Sequence, residues 1–159
     1  MKLNDILIPE RVIFRLQATD RPGVLRELVR RGFFQEETKV DLEQSDEETI
    51  VSWLLERERL QSTGIKDGLA IPHTAVEGID ELVACVGLQS DGIAFGSLDK
   101  KPAQIFIVLL SPASARGSHL KALARISRLF ADGRLQRRMM ECASKEAIFE
   151  EMLNSDARL

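Results

Sequence analysis

Two histidines, His73 and His119, carry most of the reactive chemistry in this 159-residue chain, which has no tyrosine and only two cysteines, Cys85 and Cys142. An imidazole titrates near pH 6.5, roughly, so much of it is neutral at pH 7 and holds a lone pair. Such a nitrogen attacks phosphorus without a separate base to remove a proton. A zinc site would need carboxylates or thiolates to join the pair, and no spacing resembles a helix-borne ligand motif. Two thiols make neither a disulfide framework nor a four-thiolate centre. The Gly-x-Ser-x-Gly elbow, the Walker loop and the dinucleotide-binding glycine pattern are all absent. The chemistry therefore narrows to imidazole, guanidinium and hydroxyl groups, with no cofactor and no metal implied.

The elements that must position these groups follow from periodicity. A short helical turn near Asn4–Ile8 ends at Pro9, and Val12, Phe14 and Leu16 alternate as in a short strand. Thr19 or Asp20 caps a helix with Pro22 in its first turn, an apolar face at Val24, Leu25, Leu28 and Val29, and Gly32 as a left-handed exit. Ser45 and Glu48 have capping-box spacing. They precede a helix to about Arg59 with a buried stripe of Ile50, Val51, Leu54 and Leu55, to which Trp53 is added. Leu69–Pro72, Val83–Leu88 and Ile105–Leu110 are apolar runs of strand length. Helices are expected over Ser118–Phe130, Arg134–Ala143 and Lys145–Leu153, with residues 154–159 as a frayed tail. Strands between helices imply an α/β single domain over residues 1–159: a mixed, mostly parallel sheet of about four or five strands with helices on both faces.

Within that frame one segment stands out: Ser62-Thr63-Gly64-Ile65-Lys66-Asp67-Gly68-Leu69-Ala70-Ile71-Pro72-His73. Glycines frame a turn, a short strand follows, and Pro72 has no N–H to donate, so pairing is expected to stop or to reach a sheet edge there. His73 then either emerges at a strand end or lies with Leu69 and Ile71 on a buried face; spacing leaves both open. His119 falls in the first turn of a helix, where unpaired N–H groups favour an anion, unless it is an incidental surface residue. Arg57 offers a permanently charged fork for oxyanions, or else pairs with Glu56 or Glu58. Ser62 and Thr63 are weaker candidates for contacting a ligand, since hydroxyls in such turns tend to bond local backbone.

This segment resembles the phosphohistidine signature of the enzyme IIA domains of the bacterial phosphoenolpyruvate-dependent sugar phosphotransferase system, fructose/mannitol type. It is most similar to the nitrogen-regulatory branch, because Ser62-Thr63-Gly64-Ile65 precedes Gly68-Leu69-Ala70-Ile71-Pro72-His73. Arg57 stands where that family has an upstream arginine, so the signature region spans residues 57–73. Phe95–Pro102 resembles its loop between strands, and Ser118-His119-Leu120 its second histidine at a helix start. The match covers roughly residues 48 to 153. Thr74 departs from a common glycine, and Lys66-Asp67 from a common Gly-Asn. The resemblance implies a phosphotransferase component with His73 as phosphoryl acceptor on Nε2, and Arg57 and His119 lining the phosphate site. It also implies an HPr-type phosphocarrier protein, or its nitrogen-branch counterpart, as donor.

Composition agrees with that role. Twenty-two basic residues against twenty-five acidic ones leave a net charge of −3, which does not suit a general nucleic-acid binder. The longest purely apolar run, Ile105–Leu110, is far short of the roughly 20 residues of a membrane span, and no signal-peptide core follows Lys2. A cytoplasmic protein is expected, with no membrane insertion and no oligomeric state specified. Residues 36–48 carry seven carboxylates, and residues 116–138 seven basic groups, of which Arg125 and Arg128 are candidates to steer an acidic partner. The chain then signals through a regulatory target protein, hands phosphate to a separate IIB component, or acts as a non-phosphorylated interaction module.

Overall fold

The computed structural model describes residues 1–42, 45–115 and 117–159; Glu43 of the acidic stretch and Arg116 of the basic stretch lie outside them. After 3-10 turns at Leu3–Asp5 and Pro9–Arg11, the elements are β1 (Val12–Ile13), α1 (Arg21–Phe33), α2 (Glu47–Leu60), β2 (Leu69–Ala70), β3 (His73–Val76), β4 (Val83–Ile93), β5 (Ala103–Pro112), α3 (Ser118–Leu129), α4 (Arg134–Glu141) and α5 (Lys145–Ala157). The sheet runs β1-β4-β5-β2, with β3 also on β5. Only the β4–β5 pair is antiparallel.

β5 is the centre of the domain, and its uninterrupted apolar run is that of a strand covered on both faces. Ile105, Ile107 and Leu109 pack with Ile126, Leu129, Met139, Ile148 and Met152 of α3, α4 and α5. Phe106, Val108 and Leu110 face the other way, onto Val24, Leu25, Leu28, Ile50 and Leu54 of α1 and α2. The sheet thus separates two apolar layers, as expected of an α/β fold.

Several local expectations change. Of the two cap candidates for α1 it is Asp20 that accepts from the Gly23 N–H, as allowed for, whereas α2 is capped by Asp46, accepting from the Thr49 N–H, and not by Ser45. Gly32 is no helix exit. It is buried within α1, where a Cβ would lie 2.6 Å from both Cβ and Sγ of Cys85, so the residue is there for close packing of helix on sheet. Trp53 points outward, 37% exposed, because it falls off the stripe of Ile50, Val51 and Leu54. Of the two outcomes expected at Pro72 the structure has the edge: pairing does not stop, and β2 and β3 flank the proline on the outer side of β5 in unbroken register, Leu69 opposite Ile105 and His73 opposite Leu109. The Pro72 carbonyl even accepts from the Leu109 N–H at 2.9 Å. The last helix continues through Ala157, because buried Asp156 accepts from the Leu3 N–H and from Arg125. That ion pair also removes Arg125 from the charges free to steer a partner, while Arg128 stays exposed.

Candidate functional site

Residues 62–71 fold back on themselves as a small two-stranded unit. Ile65 N–H donates to the Leu69 carbonyl, Ile71 N–H to the Thr63 carbonyl, and Leu69 N–H closes the turn onto Lys66. The two central residues, Asp67 (φ 54°) and Gly68 (φ 80°), are both left-handed, as a type I′ turn requires. Asp-Gly is among the pairs that take this shape, so Asp67 fits where asparagine is common. This turn delivers the chain into β2 and, past Pro72, to His73.

Alternation carries the face of Leu69 and Ile71 on to His73, which therefore points toward the α3 layer. It is half-buried rather than walled off. Its Nδ1 lies 2.9 Å from the Ile71 carbonyl oxygen. A carbonyl oxygen only accepts, so Nδ1 carries the proton and the neutral ring keeps its lone pair on Nε2. Burial, chiefly, pushes the His73 pKa below the usual histidine value. The positive charge of Arg57 and the neighbouring His119 push the same way, and the Ile71 bond and Glu58 oppose them.

His119 comes to the same place from the first turn of α3. Its ring stacks on that of His73 with centroids 5.7 Å apart and planes inclined by 18°. Gly117, at φ 85°, turns the chain into the helix, and Ser118 holds a buried hydroxyl without a partner among the described residues. The Ser118 N–H donates to the Ala115 carbonyl and the Leu120 N–H to the Gly117 carbonyl, so what α3 sets beside His73 is the positive end of its dipole rather than a row of free N–H groups.

Arg57 approaches from the end of α2. It pairs with neither Glu56 nor Glu58; its Nη1 donates to the Gln61 carbonyl at 2.6 Å, and the other guanidinium N–H groups stay available. Ser62 and Thr63 are differently placed. The Ser62 hydroxyl donates to the Phe95 carbonyl at 2.6 Å and accepts from Gly64 N–H, while Thr63 gives both its N–H and its hydroxyl to the Glu58 carboxylate. The structure thus stacks His73 on His119, sets Arg57 beside Thr74 where its charge acts on His73, and commits the hydroxyl hydrogens of Ser62 and Thr63 to the scaffold.

Glu58 escaped the sequence analysis. It is 3% exposed and ties the 62–64 segment to α2. The signal was present: Glu58 stands one helical turn beyond Leu54 on the buried stripe, and a carboxylate there needs donors. Around the histidines, Trp53, Leu60 and Leu120 are exposed apolar side chains, and Trp53, Arg57, Leu60 and Thr74 line a depression of about 360 Å³. No group of three metal-ligating side chains occurs among the described residues.

A domain of two helical layers on this mixed sheet, with paired imidazoles and a guanidinium at one end, suits phosphoryl chemistry. The chain matches the family described as phosphoenolpyruvate-dependent sugar phosphotransferase system, EIIA 2, over residues 5–155, and it belongs to that family. It is 29% identical to a nitrogen regulatory protein of Bradyrhizobium diazoefficiens over 149 residues, 94% of this chain and 93% of that one. It is 28% identical over 150 residues to the PTS system fructose-specific EIIABC component of Bacillus subtilis, covering 94% of this chain but 23% of that larger protein. The crystal structure of nitrogen regulatory protein IIA-Ntr from Neisseria meningitidis superposes with a TM-score of 0.82 at 22% identity, covering 94% of this chain and 98% of that one; the fold is shared. The general phosphocarrier or regulatory role of a IIA domain goes with the family. Among the described residues, no helix is long and apolar enough to cross a membrane.

Proposed function

We propose that this chain is a regulatory IIA phosphocarrier of the nitrogen branch, taking a phosphoryl group from the phosphohistidine of an HPr-type carrier onto Nε2 of His73. The His73 Nε2 lone pair forms the new N–P bond as the donor's N–P bond breaks. The donor imidazole leaves with that electron pair, and no proton moves from Nε2. The ring then carries both Nδ1–H and the phosphoryl group, and the Ile71 carbonyl accepts from its positive half. Phosphoryl transfer with a loose transition state needs alignment and charge stabilisation. The Arg57 guanidinium supplies charge to the equatorial oxygens, His119 supplies a donor, and the positive end of α3 adds its field. The observation that carries this reading is the Nδ1 to Ile71 bond, since it fixes which nitrogen is free. Similarity to a nitrogen regulatory protein over nearly the whole of both chains favours the branch.

A phosphoryl group adds up to about two negative charges, enough to alter the binding of a partner to the exposed rim of Trp53, Leu60 and Leu120 without refolding. The similarity to a fructose-specific component favours, as a second reading, onward transfer to a separate IIB protein. Incubation with phosphoenolpyruvate, enzyme I and HPr-type carriers tests the set. Acid-labile phosphate on wild type and none on His73→Ala is the expected result. Passage of label to IIB and sugar promotes the second reading, and no label on wild type leaves an interaction module.

A further inference from the structure

At the opposite end of β5 from His73 lies a cleft of about 610 Å³ between the Lys66–Gly68 turn, the entry to β5 and α4. Gln104 on its wall is five residues along β5 from Leu109, the partner of His73, or roughly 17 Å at strand rise. It is thus a separate place on the molecule, of a size ordinary for small-molecule sites.

Its lining is dipolar. Lys101 and Arg137 are exposed cations, Asp67 and Glu141 exposed carboxylates, and none of the four closes an ion pair among the described residues. Arg137 and Asp67 converge over the bare α-carbon of Gly133, where a Cβ would stand 3.2 Å from Arg137 Nη1 and 3.7 Å from Asp67 Oδ2. On the floor, Gln136 is 5% exposed. Its Nε2 donates to the Phe130 carbonyl, and its Oε1 has no donor among the described residues. That oxygen is sealed from solvent, so Gln136 closes the bottom of the cleft rather than reaching into it.

We propose that this cleft binds a small zwitterion of the α-amino-acid class. Its carboxylate lies against Arg137 and Lys101, and its ammonium against Asp67 and Glu141. Each side of the cleft carries one cation and one carboxylate, Arg137 with Glu141 on α4 and Lys101 with Asp67 opposite; a simple anion or a simple cation leaves two of the four opposed to it, whereas a ligand bearing both charges serves all four. The site is independent of the phosphoryl chemistry assigned to His73.

Isothermal titration of the full chain with each of the twenty proteinogenic L-amino acids tests this. At least one binds with Kd below about 1 mM. Its N-acetyl and carboxamide derivatives, each lacking one charge, bind about tenfold or more weakly. Arg137→Glu and Glu141→Lys each weaken binding about tenfold or more, and Lys101→Glu replaces the first if it fails to fold. Absence of binding by all twenty at about 10 mM, equal binding of the singly charged derivatives, or indifference to these charge reversals overturns the proposal.

Discussion

Nδ1 of His73 and the carbonyl oxygen of Ile71, two residues back across Pro72, are 2.9 Å apart, so the chain's own backbone dictates which ring nitrogen faces outward. The same ring is held below the usual histidine pKa, first by burial and then by Arg57 and His119. Between about pH 6.5 and its own lower pKa, His73 stays neutral in the folded protein while the unfolded chain protonates. Stability therefore falls as pH drops through that window, and is not gained. Ring titration by NMR should place His73 below about pH 6.5, and His73→Asn should flatten the loss of stability there; a value at or above 6.5 contradicts the account.

Arg57 has one N–H committed to Gln61 and lowers the His73 pKa through its charge. Arg57→Ala should slow phosphoryl transfer by about ten- to a hundredfold, the worth of one charge-assisted contact, with the fold intact. It should also let the His73 pKa rise. Stopped-flow transfer from a phosphorylated carrier and the NMR titration read the two effects separately.

Glu58 holds both donors of Thr63 in a buried position. Glu58→Ala leaves the Thr63 N–H and hydroxyl without a partner and should cost about 1–3 kcal/mol in urea unfolding. Glu58→Gln keeps one acceptor and should cost less. With its positive influence on His73 gone, the histidine pKa should drop further in both variants.

Gly32 sits where a methyl group would overlap Cys85. Gly32→Ala should destabilise by about 1–3 kcal/mol despite its better helix propensity, and Cys85→Ala should recover only part of that, because Cβ remains. Thermal unfolding of the single and double variants measures this.

Much of the architecture was legible in the sequence because the signals were local. The β5 run and the stripes of α1 and α2 each specify an element and a buried face by period alone, and the turn at Asp67-Gly68 needs only its own two residues. What period could not give was long-range. Gly32 looked like a helix exit because Cys85, its packing partner, comes from another element. Ser45 looked like a cap because Asp46 offers the same chemistry one residue on. The end of α5 depends on Asp156 meeting Leu3 across the whole chain. At the site, spacing left His73 between a core and an exposed role. The stack on His119, brought by α3, is what sets it at the rim. Ser62 and Thr63 were expected to bond local backbone, as Ser62 does in accepting from the Gly64 N–H, but their acceptors Phe95 and Glu58 lie beyond what local sequence shows.

The most direct measurement is nitrogen-15 and phosphorus-31 NMR of the protein after incubation with phosphoenolpyruvate, enzyme I and an HPr-type carrier. The account predicts one phosphoryl group on Nε2 of His73, with Nδ1 still protonated against Ile71. A phosphoryl group on Nδ1, on His119, or persisting in His73→Ala would contradict it.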